Sequence, residues 1–163
     1  MSAMLRLTLA SLLVIAAAGT RARADDDHEP PVAVALGAGA GLAITPLLAG
    51  GVLFASTDDD GLRRAGTMVA MAGLTLAPIV SHVATREYKR AAIFGAVPLA
   101  ALITNAIVFA YDPKVTTYGS AYTRTIFGVA LTAGVLGAVV GLADSLAARD
   151  RWRRRHPLLG AAL

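Results

Sequence analysis

There is no cysteine among the 163 residues, and only 16% of them are charged and 6% aromatic. Without cysteine the chain has no disulfide framework, no thiolate metal site and no sulfur nucleophile. A soluble domain usually carries charge on about a quarter of its residues. The shortfall excludes a disordered chain, a coiled coil and an ordinary soluble enzyme. What fills the gap is apolar: 56% of the residues are hydrophobic and the mean hydropathy is +0.61. That balance points to a bilayer.

The formal charge of +4 is less basic than it looks. Arg6, Arg21 and Arg23 fall in the first 24 residues, and removing three of the 15 basic residues leaves 12 against 11 acidic ones. The pI near 10.0 is therefore no argument for nucleic acid, which needs a retained basic surface, and no nucleic-acid partner is expected. Thirteen of the basic residues are arginine and alanine is abundant, a composition that suggests a GC-rich bacterial genome.

Residues 1–24 read as a cleaved signal peptide. Met1–Arg6 is a short positive start, Leu7–Gly19 an apolar core too short to span comfortably, and Ala22-Arg23-Ala24 puts small residues where a signal peptidase reads. An acidic segment, 25–31, then ends in Pro30-Pro31 and cannot carry a helix into lipid. Four apolar runs follow. Residues 32–56 and 91–111 hold no charge, 65–84 only His82, and 125–147 only Asp144. Each has the roughly 20 residues a helix needs to cross about 30 Å of hydrocarbon. None alternates with period two, which argues against a transmembrane barrel.

The connections, 57–64, 85–90 and 112–124, are short enough to make consecutive helices antiparallel neighbours. The expected fold is all-α: a polytopic up-down bundle of about four transmembrane helices over 32–147, with a basic tail at 148–163. The expected location is the cell membrane, the inner membrane if the source is bacterial. Val52-Leu53-Phe54-Ala55 and Ile107-Val108-Phe109-Ala110 align, but four apolar residues in such a composition do not establish a duplication.

Two rules of orientation disagree. A cleaved signal peptide delivers residue 25 to the outer side, so four spans put the second loop and the tail outside with eight basic residues, against four inside. That inverts the positive-inside bias. The conflict vanishes if 32–56 does not cross. With five glycines and Pro46 it could be re-entrant, a backbone tolerated at depth only when buried in protein.

Small residues at helical spacing mark packing faces. Gly37 and Gly41 form one pair; Gly134, Gly137 and Gly141 form a stripe; Gly66, Ala70, Gly73 and Ala77 form another. In lipid, close backbone approach has to replace the hydrophobic drive between helices. Pro46, Pro78 and Pro98 lie inside the spans, where each removes one backbone hydrogen bond.

The candidate polar residues within the membrane are His82, Asn105 and Asp144. An ionisable side chain in a span is a functional lead, and a His–Asp pair can hold and pass a proton. His82 and Asp144 sit three or four positions from their helix ends, where side chains reach water, so interfacial anchoring is the expectation. His82 points away from the Gly66/Gly73 face of its own helix, and the Asn105 amide is expected to hydrogen-bond across the bundle. In the tail, Arg151, Trp152, Arg153, Arg154 and Arg155 suit anionic lipid headgroups or an acidic partner.

Two metal patterns fall short. Ser56-x-Asp58-x-Asp60-Gly61 has Thr67 where a calcium loop needs a bidentate Glu, and His28 is fourth after the cleavage point where a terminal copper or nickel clamp wants it third. No catalytic elbow, zinc-protease helix or phosphate-binding loop is present in the sequence. No cofactor, metal or catalytic residue is expected. The functional expectation is a small membrane protein with a structural or accessory role, in a homo-oligomer or a larger complex. The rival is a small oligomeric transporter or channel using His82, Asn105 and Asp144.

Overall fold

A computed structural model describes residues 31–156. The expected signal peptide, all of the acidic segment except Pro31, and residues 157–163 lie outside the described residues. Those described form five helices and no strand: α1 (Val32–Ala55), α2 (Asp60–Ala84), α3 (Tyr88–Tyr111), α4 (Ala121–Leu146) and the short α5 (Ala148–Arg155). The first four are long and apolar enough to cross a membrane. The chain is an all-α polytopic bundle.

Three of the helices begin several residues ahead of the apolar runs. Asp59 accepts a hydrogen bond from the Leu62 N–H at 2.8 Å and so starts α2 at Asp60; Ser120 accepts from the Thr123 N–H at 3.1 Å and starts α4 at Ala121. Capping chemistry, not hydropathy, decides where α2 and α4 begin; α3 starts after Glu87 without a side-chain cap. The acids of the calcium-like loop are also engaged. Asp58 pairs with Arg63 at 3.1 Å, and Asp60 accepts from Thr117 at 2.6 Å. That last bond ties the start of α2 to the α3–α4 loop at one end of the bundle.

α2 is the central helix. More than half of its apolar window is buried, against a third or less for the other three, and it packs on α1, α3 and α4. Its Gly66/Gly73 side faces α1, while Met71 on the other side joins Ala101 of α3 and Ala130 of α4 in the core.

The prolines are not breaks. Each is received by a glycine of a neighbouring helix: Pro46 of α1 by Gly73 of α2, Pro78 of α2 by Gly141 of α4, and Pro98 of α3 by Gly137 of α4. A Cβ on those glycines would stand 2.6, 2.6 and 3.0 Å from the respective proline rings. Gly73 also leaves room for the Leu42 carbonyl, which Pro46 deprives of its helical partner. So α1 runs unbroken through Pro46 for 24 residues, about 36 Å. The expected span over 32–56 is present as a continuous helix, and the re-entrant alternative is set aside on that ground.

The glycine pair Gly37 and Gly41 also needs correction. Both are exposed, and nothing lies within 4 Å of the Cβ either would carry. The face of α1 that packs holds Gly39 and Gly50 instead. A Cβ on Gly39 would lie 2.7 Å from Leu142 of α4, and one on Gly50 would collide with the Gly66 carbonyl of α2. Spacing identifies a face but not which face meets a neighbour. On α4, Gly134, Gly137 and Gly141 do face neighbours, across from Ala101, Pro98 and Pro78.

Candidate functional site: a charged cluster at one end of the bundle

The chain leaves α2 through a tight C-terminal turn. The Arg86 N–H donates to the Val83 carbonyl at 3.0 Å and the Glu87 N–H to the His82 carbonyl at 2.8 Å. This is the doubled hydrogen-bond pattern of a Schellman turn, whose pivot residue is left-handed and most often glycine. Here the pivot is Arg86, with φ of 61°. The turn folds Glu87 back beneath the last turn of α2.

His82 lies there, fully buried. Its ring stacks on Phe94 of α3, with centroids 5.1 Å apart and planes 15° from parallel. Nε2 donates to the Gly141 carbonyl of α4 at 3.1 Å, and Nδ1 stands 3.3 Å from Glu87 Oε2. Both ring nitrogens thus face oxygen acceptors. Nine residues separate His82 from Gly73, about half a turn around α2. On a peripheral helix that direction would lead to lipid; on the central helix it leads to α4. The interfacial expectation for His82 is corrected accordingly.

Two guanidinium groups close the cluster. Arg90, on the first turn of α3, grips Asp144 through both carboxylate oxygens at 2.8 and 2.7 Å. Arg151 of α5 grips Glu87 side-on at 2.7 and 2.5 Å, and its Nη2 stands 3.1 Å from Asp144 Oδ2. Arg155 adds a contact to Glu87 at 3.3 Å. Burial pushes the Glu87 carboxyl up, but the hydrogen bond and charge of Arg151, with His82 and Arg90, outweigh it and hold the group below its ordinary value. The bond to Glu87 raises Arg151 in turn.

Ligand atoms of His82, Glu87 and Asp144 lie within 4.8 Å of one another, close enough to suggest a metal. The charges argue otherwise. Glu87 and Asp144 flank opposite nitrogens of one ring, and their oxygens already meet Arg90 and Arg151. A cation would have to displace those guanidiniums. The arrangement is an ion-pair network joining α2, α3, α4 and α5.

Beside this network is a cleft of about 750 Å³ between the α2–α3 turn and α5. Its basic lining is Arg86, Lys89, Arg90, Arg151, Arg154 and Arg155, with Glu87 and Tyr88 completing the wall. Of the tail residues named from sequence, Arg154 and Arg155 line it exposed, Arg151 lines it partly buried, and Arg153 is exposed. Trp152 is corrected: it is buried, stacked on His156 at 4.9 Å, and does not face lipid.

Asn105 is far from the cluster. It is fully buried, its Nδ2 donates to Met71 Sδ of α2 at 2.8 Å, and its Oδ1 has no partner among the described residues. Sequence reading thus singled out His82 and Asp144 but missed Glu87 and Arg90, and read Arg151 as a lipid contact. Loop charges look solvated when counted along the chain, and 64 positions separate Glu87 from Arg151. The one local hint was a carboxylate five positions after a histidine at a helix end. No protein-family model, curated protein or solved structure matches the chain.

Proposed function

We propose that the protein is a small multi-pass protein of the cell membrane with a structural or accessory role and no catalytic activity. One observation carries this reading. A proton carrier needs polar groups within hydrogen-bond reach of one another across the bundle. Here His82 and Asp144 are committed to an ion-pair network at one end, and Asn105 contacts Met71, eleven residues or about 16 Å from His82 along α2. Between the two levels the buried residues are chiefly apolar, Leu74, Ala77, Pro78 and Ala138; of the two buried hydroxyls of α2 there, Thr75 donates to the Met71 carbonyl at 2.9 Å and Ser81 Oγ has no hydrogen-bond partner among the described residues.

The arginine-rich end carries eight basic residues against four at the other, which favours placing it in the cytoplasm. Arginine usage supports a bacterial inner membrane. A homo-oligomer or a larger membrane complex is the natural setting for such a role.

Proton flux in reconstituted vesicles tests the reading. The wild-type chain is expected to match empty vesicles. Flux above that level, lost in His82→Ala or Asp144→Ala while the variants remain folded, would overturn it in favour of a transporter. A fluorescent protein or alkaline phosphatase fused after Leu163 tests the orientation. Fluorescence supports the cytoplasmic placement; phosphatase activity reverses it and supports a cleaved signal peptide.

A further inference from the structure

We propose that the basic cleft binds the phosphate of an anionic phospholipid, whose acyl chain lies in the apolar groove between α3 and α4. The cleft's charge is the first ground. Six cationic side chains line it, and Glu87 is the one carboxylate among its lining residues. Arg90 and Arg151 are already matched to Asp144 and Glu87. Lys89 and Arg154 have no partner among the described residues and line the same cleft. An oxyanion with several acceptors is the chemistry that satisfies them.

The second ground is the backbone at Arg86. A left-handed non-glycine residue is strained, and such strain persists mainly where a side chain is needed. Glycine would make this turn more easily but would remove one of the cleft's cations.

The third ground separates a lipid from a free phosphate. The cleft lies where the candidate span of α2 ends and that of α3 begins, the level at which headgroups would meet the helices. From it, Lys89, Ile93 and Val97 descend one face of α3 at four-residue spacing, all exposed. Val97 then opens the groove of about 420 Å³ that Ala100, Thr104, Val129 and Ala133 continue between α3 and α4. A phosphate site and an apolar groove set along one exposed face of α3 fit a molecule with an anionic head and a hydrocarbon tail. A soluble phosphate would leave the groove without purpose.

Trp152 is the single tryptophan of the chain and lies on α5 beside the cleft, so its fluorescence reports occupancy. The full-length protein in non-ionic detergent would be titrated with dioleoyl-phosphatidylglycerol, dioleoyl-phosphatidylcholine and inorganic phosphate. Saturable binding of phosphatidylglycerol is expected, at least tenfold tighter than either of the others. Replacing Lys89 and Arg154 together by Gln, which leaves the ion-pair network intact, should weaken it tenfold or more, since each basic residue near an anionic headgroup contributes about a factor of five. Ala100→Phe, filling the groove, should weaken phosphatidylglycerol but not phosphate, and Lys114→Gln at the opposite end should change nothing. Equal affinity for phosphatidylcholine, or unchanged binding in the Lys89/Arg154 double variant, would overturn the site. Phosphate binding as tight as phosphatidylglycerol would overturn the lipid assignment in favour of a soluble anion.

Discussion

His82 and Glu87 contact each other twice, once through the backbone and once through their side chains. The Glu87 N–H donates to the His82 carbonyl at 2.8 Å, while Glu87 Oε2 stands 3.3 Å from His82 Nδ1. The backbone bond forms the turn that ends α2, and the turn delivers the carboxylate to the ring. Arg151 then clamps the same carboxylate from α5. A local helix stop thereby becomes the anchor of a four-helix contact.

Removing the charge of Glu87 leaves Arg151 and His82 to share a single neutral amide acceptor in place of a carboxylate. Glu87→Gln is expected to cost about 1–3 kcal/mol, because Arg151 keeps Asp144 as a partner and the site borders the cleft. Asp144→Asn should cost less, because its carboxylate is 22% exposed where that of Glu87 is 5%. Reversible unfolding in mixed detergent measures both; a loss below about 1 kcal/mol for Glu87→Gln would show that the network is not stabilising.

The same carboxylate makes stability depend on pH. Its folded value lies below the ordinary one, so its contribution is present above the unfolded value of about 4.3 and is lost as pH falls through the folded value. Asp112, lowered chiefly by the hydrogen bond from Thr123, acts in the same direction. Melting temperature should be level from pH 7 to 5 and drop in more acid solution. Glu87→Gln should flatten that drop, and a drop as steep as the wild type's would assign it to other groups.

Two glycines of one helix should respond oppositely to alanine. Gly50→Ala drives a methyl into the Gly66 carbonyl and is expected to destabilise by about 1–3 kcal/mol. Gly37→Ala meets open space and should stabilise by up to about 1 kcal/mol through helix propensity. Thermal melts in detergent separate them. If Gly37→Ala dissociates an oligomer, the outward glycine face is a contact between copies.

Arg86→Gly should raise stability by roughly 1 kcal/mol, since glycine takes φ of 61° without strain. The same variant should bind phosphatidylglycerol less tightly. A more stable protein with unchanged lipid affinity would mean that the arginine serves neither the turn nor the cleft.

Asn105 is half satisfied: one amide hydrogen reaches Met71 and the carbonyl reaches nothing among the described residues. Asn105→Leu trades a bond worth about 1 kcal/mol against an orphaned buried acceptor. The change in unfolding free energy should stay within about 1 kcal/mol of zero.

Much of the fold was legible along the chain because crossing a bilayer is decided by sums over a window. Four apolar runs of sufficient length sufficed to predict four helices, and short loops sufficed to make them antiparallel. The helix starts at Asp60 and Ala121 came from caps outside those runs, so they were read late. Gly73, Gly137 and Gly141 are recognisable as small-residue faces, whereas their proline partners read only as lost backbone hydrogen bonds, because a proline's neighbour on another helix is not written beside it.

Hydropathy, charge order and loop length thus determined by themselves that this is an all-α polytopic bundle with most of its loop and tail arginines at one end. Tertiary structure alone decided that α2 is central, that His82 therefore faces α4, that Gly39 and Gly50 pack where Gly37 and Gly41 do not, and that Glu87 meets Arg151. The reason is physical. Transfer into lipid is nearly additive over single residues, but an ion pair or a helix notch exists only when two groups lie within a few ångströms, and residues 64 positions apart have no fixed distance until the helices pack.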